Sequence, residues 1–302
     1  MKKVIVRLGN GLGNQLFTYA AAYAFAKKNK AELYIDDESG FYKRHKYELH
    51  NFKISAQIIE RRHKFLGHFG RLKRRLLKKF INKSSFLVEE TDEEKLTYYK
   101  PNQLESNFKN ELYFEGYFQS EKYFEEYEKN ILNEFKFKDH ILKNQSESLV
   151  KEIENSNSVS IHLRQKKFLK DEKHKNLEKK NLEHLNNNIE IIKMGVKYFD
   201  ENIQKPLYFV WSNNLDNLEK FFPSNKFILV KDNVNKDPAY DLHLMSLCKH
   251  YILSPSTLHY WAAYLCRNRS KICLAPKNIK NKSGYYGFSN NRDIKPNWWK
   301  DI

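Results

Sequence analysis

Two segments of the chain combine groups that bind phosphate. Tyr240–Leu265 predicts a helix, a short buried strand and a second helix that starts at Ser256 and Thr257. The free N–H groups of a helix start, its dipole and two hydroxyls favour an anion, although a serine there also serves as an ordinary N-cap. An upstream strand ends in His162 and Arg164. An arginine and a helix start at two strand ends together predict a diphosphate clamp.

His162 has a second interpretation. A histidine on a buried strand is often a hydrogen-bonded core residue, but its place two residues before Arg164 favours a ligand site. A lysine run from Lys166 to Lys180 follows. We expect that run either to help hold an acidic ligand or to form a solvated loop.

A glycine loop near the start of the chain is a second candidate site. Gly9 and Gly11 fit the first two glycines of G-x-G-x-x-G between a predicted strand and helix, and Asp36 ends the next strand. This context is typical of dinucleotide binding, so a nicotinamide oxidoreductase is one alternative. Asn14, however, occupies the third position, where close helix–strand packing requires glycine or alanine.

Metal-ligand patterns are weak in this sequence. Asp36, Asp37 and Glu38 resemble the acidic run by which some sugar-nucleotide enzymes hold a divalent metal, but no second ligand cluster accompanies them. We therefore interpret the run as a strand end. The sequence contains no G-x-S-x-G, H-E-x-x-H or P-loop motif. No metal or cofactor is expected.

The composition indicates a globular protein with an unusual charge. The 302 residues suffice for two domains, and the formal net charge is +17. Three cysteines without C-x-x-C spacing predict buried thiols in a reducing compartment. Without an 18-residue apolar run or a signal peptide, we expect a cytoplasmic protein that spans no membrane.

One segment concentrates the positive charge. Arg61–Lys83 carries ten Lys or Arg and no acidic residue, with leucines and phenylalanines at helical spacing. Such a helix suits an anionic membrane surface, and nucleic acid would also attract it. A third interpretation is a solvated helix whose apolar stripe packs on its own domain.

The predicted elements alternate between strand and helix in both halves. Lys3–Asp36 forms a β-α-β opening, and a second α/β series begins at Val159 after a polar stretch. This alternation predicts two doubly wound domains with parallel sheets. We place them at residues 1–155 and 156–302, with the aromatic tail Pro296–Ile302 packed back on the body.

Six collinear motifs resemble the α-1,2-fucosyltransferases of glycosyltransferase family 11, and they span nearly the whole chain. They are Leu8–Phe17, Lys46–Leu49, Gly116–Phe124, Ser160–Arg164, Asp241–His250 and Ser256–Ala263. The resemblance implies a GT-B fold: an N-terminal acceptor-binding domain and a C-terminal domain that binds a GDP-sugar, both Rossmann-like and facing a central cleft. It also implies inversion at the sugar carbon without a bound metal.

The resemblance assigns roles to individual residues of the C-terminal half. Arg164 would pair with the diphosphate of the leaving GDP, in a catalytic as well as a binding role. His162 would lie beside the nucleotide. Ser256 and Thr257 would hold the phosphate from the helix start.

In the N-terminal half the resemblance places the glycine loop at the donor. Asn14 would touch the sugar or the leaving group as a second catalytic residue. Gly11 and Gly13 belong to the same loop and are expected to contact the donor.

The sequence departs from the family pattern at several donor positions. Gln165 replaces the second arginine of the usual His-x-Arg-Arg-Gly-Asp-Tyr, and Lys167 replaces its aspartate. The usual Ser-Asp-Asp is Ser212, Asn213 and Asn214. A carboxylate accepts both N–H groups of a guanine edge, whereas an amide offers one oxygen. We therefore expect weaker guanine recognition, or recognition partly by backbone groups.

The sequence as a whole predicts transfer of L-fucose or a related 6-deoxyhexose from GDP to a sugar hydroxyl. The acceptor expected is O2 of a galactoside in a lipid-linked surface glycan, which the basic helix would help to reach at the inner membrane. Inverting transfer needs a proton acceptor, and Asp37, Glu115 and Asp36 are candidates that also suit caps or ion pairs. The alternative is a non-catalytic basic protein that binds glycan or nucleic acid. For the enzyme, no nucleic acid partner is expected.

Overall fold

The computed structural model describes residues 2–41, 45–80, 85–91, 97–105, 108–165, 177–231, 237–276 and 293–302. It divides into two units with one parallel sheet each, which confirms the predicted pair of parallel α/β domains. Unit 1 comprises Met1–Lys138 and Lys282–Pro296, and unit 2 comprises Asp139–Asn281 and Asn297–Ile302. None of the described helices has the length and apolar character needed to cross a membrane.

This division differs from the sequence-based boundary between residues 155 and 156. The segment 139–155 groups with unit 2, where the Gln145 side chain donates to the Tyr240 carbonyl at 3.3 Å. Near the other end of the chain, Asp293 groups with unit 1 and accepts hydrogen bonds from Tyr99 N at 2.8 Å and Lys122 Nζ at 2.6 Å.

Unit 1 contains a five-stranded sheet in the order β3-β2-β1-β5-β4 with all neighbours parallel. Its elements are β1 Lys3–Arg7, α1 Leu12–Lys28, β2 Glu32–Asp36, β3 Gln57–Ile58, α2 Gly67–Phe80, β4 Phe86–Val88, β5 Glu111–Glu115 and α3 Glu128–Glu134. The central strand β1 has three fully buried residues, Val4–Val6, and the alanine-rich α1 is buried along most of its length. Small side chains let this helix lie close to the sheet.

The strand order of unit 1 reverses direction beside β1. The chain proceeds outward from β1 through β2 to β3, and then returns through β4 to β5 on the other side of β1. Loops leaving two adjacent parallel strands toward opposite faces open a crevice at their carboxyl ends. In unit 1 that point lies between β1 and β5.

Unit 2 contains a six-stranded parallel sheet in the order β11-β10-β9-β6-β7-β8. Its elements are α4 Asp139–Lys143, α5 Glu147–Asn155, β6 Asn157–Leu163, α6 Leu177–Asn202, β7 Pro206–Ser212, α7 Leu218–Phe221, β8 Phe227–Leu229, α8 Pro238–Leu247, β9 His250–Ile252, α9 Thr257–Leu265, β10 Cys273–Ala275 and β11 Lys300–Asp301. The order reverses between β6 and β9, as in a dinucleotide-binding sheet. The short β11 and the buried Trp299, whose ring lies 5.4 Å from that of Tyr260, belong to this unit.

The sequence pattern predicts helices over 121–135, 141–154 and 214–221, and all three are shorter or broken in the structure. The helix predicted over 121–135 consists of two 3-10 turns followed by α3, because Phe124 has non-helical backbone angles. The helix predicted over 141–154 is divided into α4 and α5 at Ser146, whose hydroxyl accepts from Leu149 N and starts a new helix. The helix predicted from residue 214 begins only at Leu218, after Asn217 in a left-handed conformation.

Candidate functional site

The reversal point of unit 2 brings two of the sequence motifs together. Strands β6 and β9 are paired in parallel, with Ile161 opposite Ile252, so their carboxyl ends lie side by side. Just beyond β9, the Ser254 hydroxyl donates to the His162 carbonyl oxygen at 2.6 Å. This bond fixes the turn after β9 against the last residues of β6.

The turn leads directly into α9. Ser256 is its N-cap, and its side-chain oxygen accepts from His259 N at 3.3 Å. Capping uses a lone pair of the hydroxyl and leaves its O–H available as a donor. Thr257 follows in the first turn, half-buried, where helical N–H groups lack intrahelical partners. The structure therefore places two hydroxyls and the N–H groups of a helix start together at this turn.

Two buried histidines lie beneath this turn. His259 Nε2 lies 3.0 Å from the Ser160 hydroxyl, and the His162 and His259 ring centroids are 5.9 Å apart. Burial, and secondarily the positive charge of Arg164, lower the pKa of His162 to about 4. Burial also lowers the pKa of His259. Both rings are therefore neutral at pH 7.

His162 is thus both a core residue and a neighbour of the predicted clamp. Its ring is almost wholly buried, whereas Arg164, directly after β6, is exposed. The effect of the Arg164 charge on the pKa of His162 places that cation close to the reversal point. Sequence analysis did not single out His259, although its place three residues after the N-cap was a usable signal.

The described departures from the family pattern lie just after the carboxyl ends of β6 and β7, and they contact one another. Gln165 N donates to Asn213 Oδ1 at 2.9 Å, and Gln165 Nε2 donates to the Asn214 carbonyl at 2.6 Å. The Ser212 hydroxyl accepts from Asn214 N at 3.2 Å. Gln165 therefore joins the ends of β6 and β7. Lys167 lies outside the described residues, as does the part of the predicted lysine run from position 166 to position 176.

Near the reversal point of unit 1, the neutral side chains of Gln119 and Thr18 hydrogen-bond to Asn14, whereas β1 and β5 themselves end in the charged Arg7 and Glu115. Gln119 Nε2 donates to Asn14 Oδ1 at 2.8 Å, which joins the loop after β5 to the first turn of α1. The Thr18 hydroxyl lies 3.0 Å from the Asn14 carbonyl and 2.9 Å from the Gly116 carbonyl. Asn14 is therefore held in a defined orientation, although sequence analysis gave Gln119 no role.

The glycine loop itself is held by Gln15. Its side-chain amide donates to the Asn10 and Lys46 carbonyls at 2.9 Å, and its oxygen accepts from Glu48 N at 2.9 Å. A Cβ at Gly9 would lie 2.7 Å from the backbone oxygen of Gly40, so this glycine permits a close backbone approach.

The two glycines predicted to contact a donor begin α1. Gly11 is the N-cap and provides no capping side chain, and Gly13 lies buried in the first turn. Among the described residues, a Cβ at Gly11 would meet His45, at an ordinary contact distance of 3.7 Å.

Glu115, one predicted general base, is an ion-pair partner. Arg74 Nε lies 2.5 Å from Glu115 Oε1, and Arg74 Nη2 lies 2.5 Å from Oε2. Lys78 Nζ lies 3.1 Å from Oε2. Burial alone would raise the pKa of Glu115, but the two cations lower it below its usual value. A carboxylate held in this way is a weak proton acceptor, so Glu115 anchors the basic helix instead.

Asp37 and Asp36 are also engaged. Lys64 Nζ lies 2.5 Å from Asp37 Oδ1, and 2.6 Å from Glu38 Oε1. Asp36 is fully buried and accepts from the Ser39 backbone N–H and hydroxyl. These acidic residues form hydrogen bonds and ion pairs at the turn after β2, as expected if the acidic run is a strand end. Among the described residues, no three His, Cys, Asp or Glu side chains form a group that could hold a metal ion.

A carboxylate that sequence analysis missed lies at the end of β4. Glu89 Oε2 accepts from Tyr117 N at 2.6 Å and from Phe118 N at 2.9 Å. Burial raises the pKa of Glu89. Because Phe118 has a φ of 48°, this carboxylate holds a loop that includes a left-handed residue and carries Gln119 toward Asn14. The signal was a short apolar run, Phe86–Val88, that ends in an acid.

Comparison with known proteins supplies the context for these two sites. The model of the family described as Glycosyl transferase family 11 matches residues 3–301. Two similar proteins come from Escherichia coli. "O-antigen biosynthesis glycosyltransferase WbnK" is 25% identical over 285 residues, covering 89% of this chain and 92% of its own. "Alpha-1,2-colitosyltransferase" is 26% identical over 296 residues, covering 91% and 92%.

Among solved structures, the fold resembles the fucosyltransferase NodZ from Bradyrhizobium. The NodZ alpha-1,6-fucosyltransferase soaked with GDP-fucose superimposes with a TM-score of 0.53 at 16% identity, covering 87% of this chain and 92% of that chain. At this identity the likeness concerns the fold alone. The fold is GT-B, with two parallel-sheet α/β domains.

We expect Glu89→Ala to destabilise the protein by about 3 kcal/mol, because two buried N–H groups lose their acceptor. The adjacent Glu90 is the matched control, since its half-exposed carboxylate pairs with Lys100 at the surface. Glu90→Ala should cost less than about 1 kcal/mol. Urea denaturation monitored by circular dichroism measures both, and equal losses would contradict the role of Glu89.

We expect stability to fall in acid partly through His162. Its pKa is about 4 in the folded state and 6.5 in the reference state, so between these values the unfolded chain binds more protons. Its contribution should decrease by about 2 kcal/mol from pH 7 to pH 5.

His162→Gln removes this titration. From pH 7 to pH 5 the free energy of unfolding of this variant should therefore fall by about 2 kcal/mol less than that of the wild type. Denaturant titrations at the two pH values give this difference, which does not depend on the absolute stability of the variant. The exposed His140 is the control, and His140→Gln should keep the wild-type pH dependence. An unchanged slope in His162→Gln would exclude a neutral buried histidine.

Proposed function

Because the chain belongs to glycosyl transferase family 11, whose model spans residues 3–301, we propose that it transfers L-fucose or a related 6-deoxyhexose from a GDP-sugar to a hydroxyl. The acceptor proposed is O2 of a galactoside in a surface glycan. The observation that carries the proposal is the reversal of strand order between β6 and β9. It brings the strand end that carries Arg164 beside the turn that starts α9.

The proposed reaction is a single displacement with inversion. The acceptor oxygen forms a bond to C1 of the sugar while the bond from C1 to the phosphate oxygen breaks. The electron pair of that bond leaves with GDP, and the acceptor hydroxyl loses its proton. Negative charge therefore develops on the diphosphate, where an arginine and a helix start contribute most.

Arg164 is the proposed main contact to this charge. A guanidinium donates two parallel hydrogen bonds to phosphate oxygens. Ser256 can add the O–H that capping leaves available, and Thr257 a hydroxyl and a backbone N–H. His162, buried and neutral, supports the backbone from below without adding charge.

Guanine recognition is proposed for the loop after β7. There the side-chain oxygens of Asn213 and Asn214 already accept from Gln165 N and Asp216 N. An amide oxygen has two acceptor sites in all, whereas a carboxylate has about four. We therefore propose that backbone groups of this loop share in guanine binding.

Asn14 is proposed to contact the sugar or the leaving group, because Gln119 holds its side chain at the unit 1 reversal point. Asn14 Oδ1 accepts from Gln119, so its amide N–H groups are the donors that can act on a ligand oxygen. Gly11 and Gly13 would leave space for the donor at the start of α1. This assignment gives the acceptor half a neutral contact.

The names of the relatives support the choice of sugar and acceptor. One NodZ structure was soaked with GDP-fucose, and the two Escherichia coli relatives are named for O-antigen biosynthesis and for colitosyl transfer. We propose a lipid-linked glycan as acceptor and a cytoplasmic site of action at the inner membrane. Parallel assays with GDP-fucose and GDP-colitose distinguish the two sugars.

We expect Arg164→Ala to lower kcat/KM for the GDP-sugar by at least about 100-fold, since one donor to the developing charge is lost. GDP binding, measured by calorimetry, should weaken with it. Arg267→Ala is the matched control, because this exposed arginine follows the opposite end of α9. If Arg164→Ala keeps wild-type GDP affinity, or if both variants lose activity equally, the proposed clamp is wrong.

We propose that transfer proceeds without a metal cofactor. The support is the cation and helix start that the chain itself offers to the diphosphate. Turnover with excess EDTA should equal turnover in added Mg²⁺, as measured by release of GDP. A loss of activity in EDTA that Mg²⁺ restores would refute this part of the proposal and leave the choice of donor untouched.

A further inference from the structure

The helix α2, Gly67–Phe80, is amphipathic in an unusual sense. It contains Arg71, Lys73, Arg74, Arg75, Lys78 and Lys79 and no acidic residue. Its apolar side chains Phe69, Leu72 and Leu76 lie at i, i+3 and i+7, so they share one face. They are 89%, 52% and 46% exposed. The stripe that a surface helix normally buries is therefore directed to solvent.

The opposite face of α2 holds the helix on unit 1. Leu77 packs against the buried cluster of Ile59, Phe65 and Tyr113. A Cβ at Gly70 would lie 2.5 Å from the carbonyl carbon of Phe65, so the helix start is in close backbone contact there.

The cations Arg74 and Lys78 complete the attachment by pairing with the buried Glu115. These contacts fix the rotation of the helix about its axis. Among the described residues, the domain therefore makes its contacts with the Gly70, Arg74, Leu77 and Lys78 side. Of the apolar residues in Arg61–Lys83, Phe65 and Leu77 pack on their own domain, as the third sequence-based interpretation expects, whereas Phe69, Leu72 and Leu76 are exposed.

Cations flank the exposed stripe. Lys73 lies on one side and Lys79 and Arg75 on the other, and all three are exposed. Beside them lies a cavity of about 310 Å³, and the described residues that line it are all cationic: Arg71, Arg74, Arg75, Lys78 and Lys79. We define the outer face of α2 as Phe69, Leu72 and Leu76 together with Lys73, Arg75 and Lys79.

We propose that the outer face of α2 docks on the surface of an anionic lipid bilayer, with its three apolar side chains inserted below the headgroups. The positive charge beside exposed apolar side chains favours a lipid surface over the other possible partners. Nucleic acid would neutralise the cations but leave Phe69 in water, and a second copy of the face would bring like charges together. An anionic bilayer satisfies both halves of the pattern, since a helix lying in the interface buries its apolar side and offers cations to lipid phosphates.

Binding of the full-length protein to vesicles tests the proposal without any donor or acceptor sugar. Its failure is therefore distinguishable from a failure of the proposed transferase function. Sedimentation with vesicles of phosphatidylcholine and phosphatidylglycerol at 70:30 should pellet the wild type, and pure phosphatidylcholine should pellet at least about tenfold less. Equal binding to the two vesicle types, or none, would overturn the proposal.

Two variants separate the apolar and the ionic contributions. Replacement of the stripe by serine should lower partitioning to the anionic vesicles at least about tenfold, because the inserted area is lost. Neutralisation of the flanking cations should give a comparable loss and remove most of the salt dependence. The two variants are Phe69→Ser/Leu72→Ser/Leu76→Ser and Lys73→Gln/Arg75→Gln/Lys79→Gln.

Matched controls carry the same numbers of changes on other exposed positions and should bind as the wild type does. They are Leu142→Ser/Leu182→Ser/Met194→Ser and Lys53→Gln/Lys136→Gln/Lys138→Gln. A circular dichroism melt confirms that each variant is folded. If the stripe variant binds vesicles as well as its control does, insertion is excluded.

Two further readouts identify a different occupant. Sedimentation velocity would detect a dimer that only the stripe variant loses, and a fluorescent oligonucleotide would detect nucleic acid binding that only the cation variant loses. Either result, with no preference for anionic vesicles, contradicts the proposal. Retained vesicle binding at saturating oligonucleotide supports it.

Discussion

The hydrogen bond from the Ser254 hydroxyl to the His162 carbonyl joins the end of β6 to the turn that starts α9, and the candidate donor site depends on it. β6 is buried along nearly its whole length yet carries Ser158, Ser160 and His162. Buried polar groups are costly unless they are hydrogen-bonded. The Ser158 hydroxyl accepts from Lys249 N, just before β9, and Ser160 bonds to the ring of His259 in α9. Satisfying the strand therefore also fixes where the helix begins, and so where its free N–H groups lie.

Unit 1 uses the same topology for different chemistry. Its strand order also reverses beside the first strand, but the groups that meet Asn14 there are an amide and a hydroxyl, while the strand-end residues Arg7 and Glu115 bond to Ser39 and Arg74. Gln119 and Thr18 hold Asn14, and Gln15 holds the loop before it. A neutral hydrogen-bonding surface suits sugar hydroxyls, whereas an arginine suits a diphosphate. The topology thus provides a crevice in each unit, and the side chains at the strand ends decide which ligand chemistry each can serve.

The sequence predicted the features that depend on local pattern. Alternation of strands and helices gave the two parallel sheets, and the serine before an apolar helix gave the start of α9. Contacts between distant residues were not accessible in this way. For Glu115 the base and ion-pair interpretations both stayed open, because its partner Arg74 lies 41 residues earlier on another element. The link from Gln165 to Asn213 spans 48 residues, so two departures that looked independent proved to be neighbours.

Glu115 also explains why α2 is oriented against its own amphipathic pattern. A buried carboxylate without a partner costs several kcal/mol, a cost of the same order as the burial that the stripe forgoes at about 1.5–3 kcal/mol for each fully exposed side chain. Because the carboxylate lies under the helix, Arg74 and Lys78 must face inward. Phe69 and Leu72 then face solvent, because they occupy the far side of the same helix. The ion pair that makes Glu115 a weak base is therefore the same interaction that turns the side chains of Phe69, Leu72 and Leu76 outward.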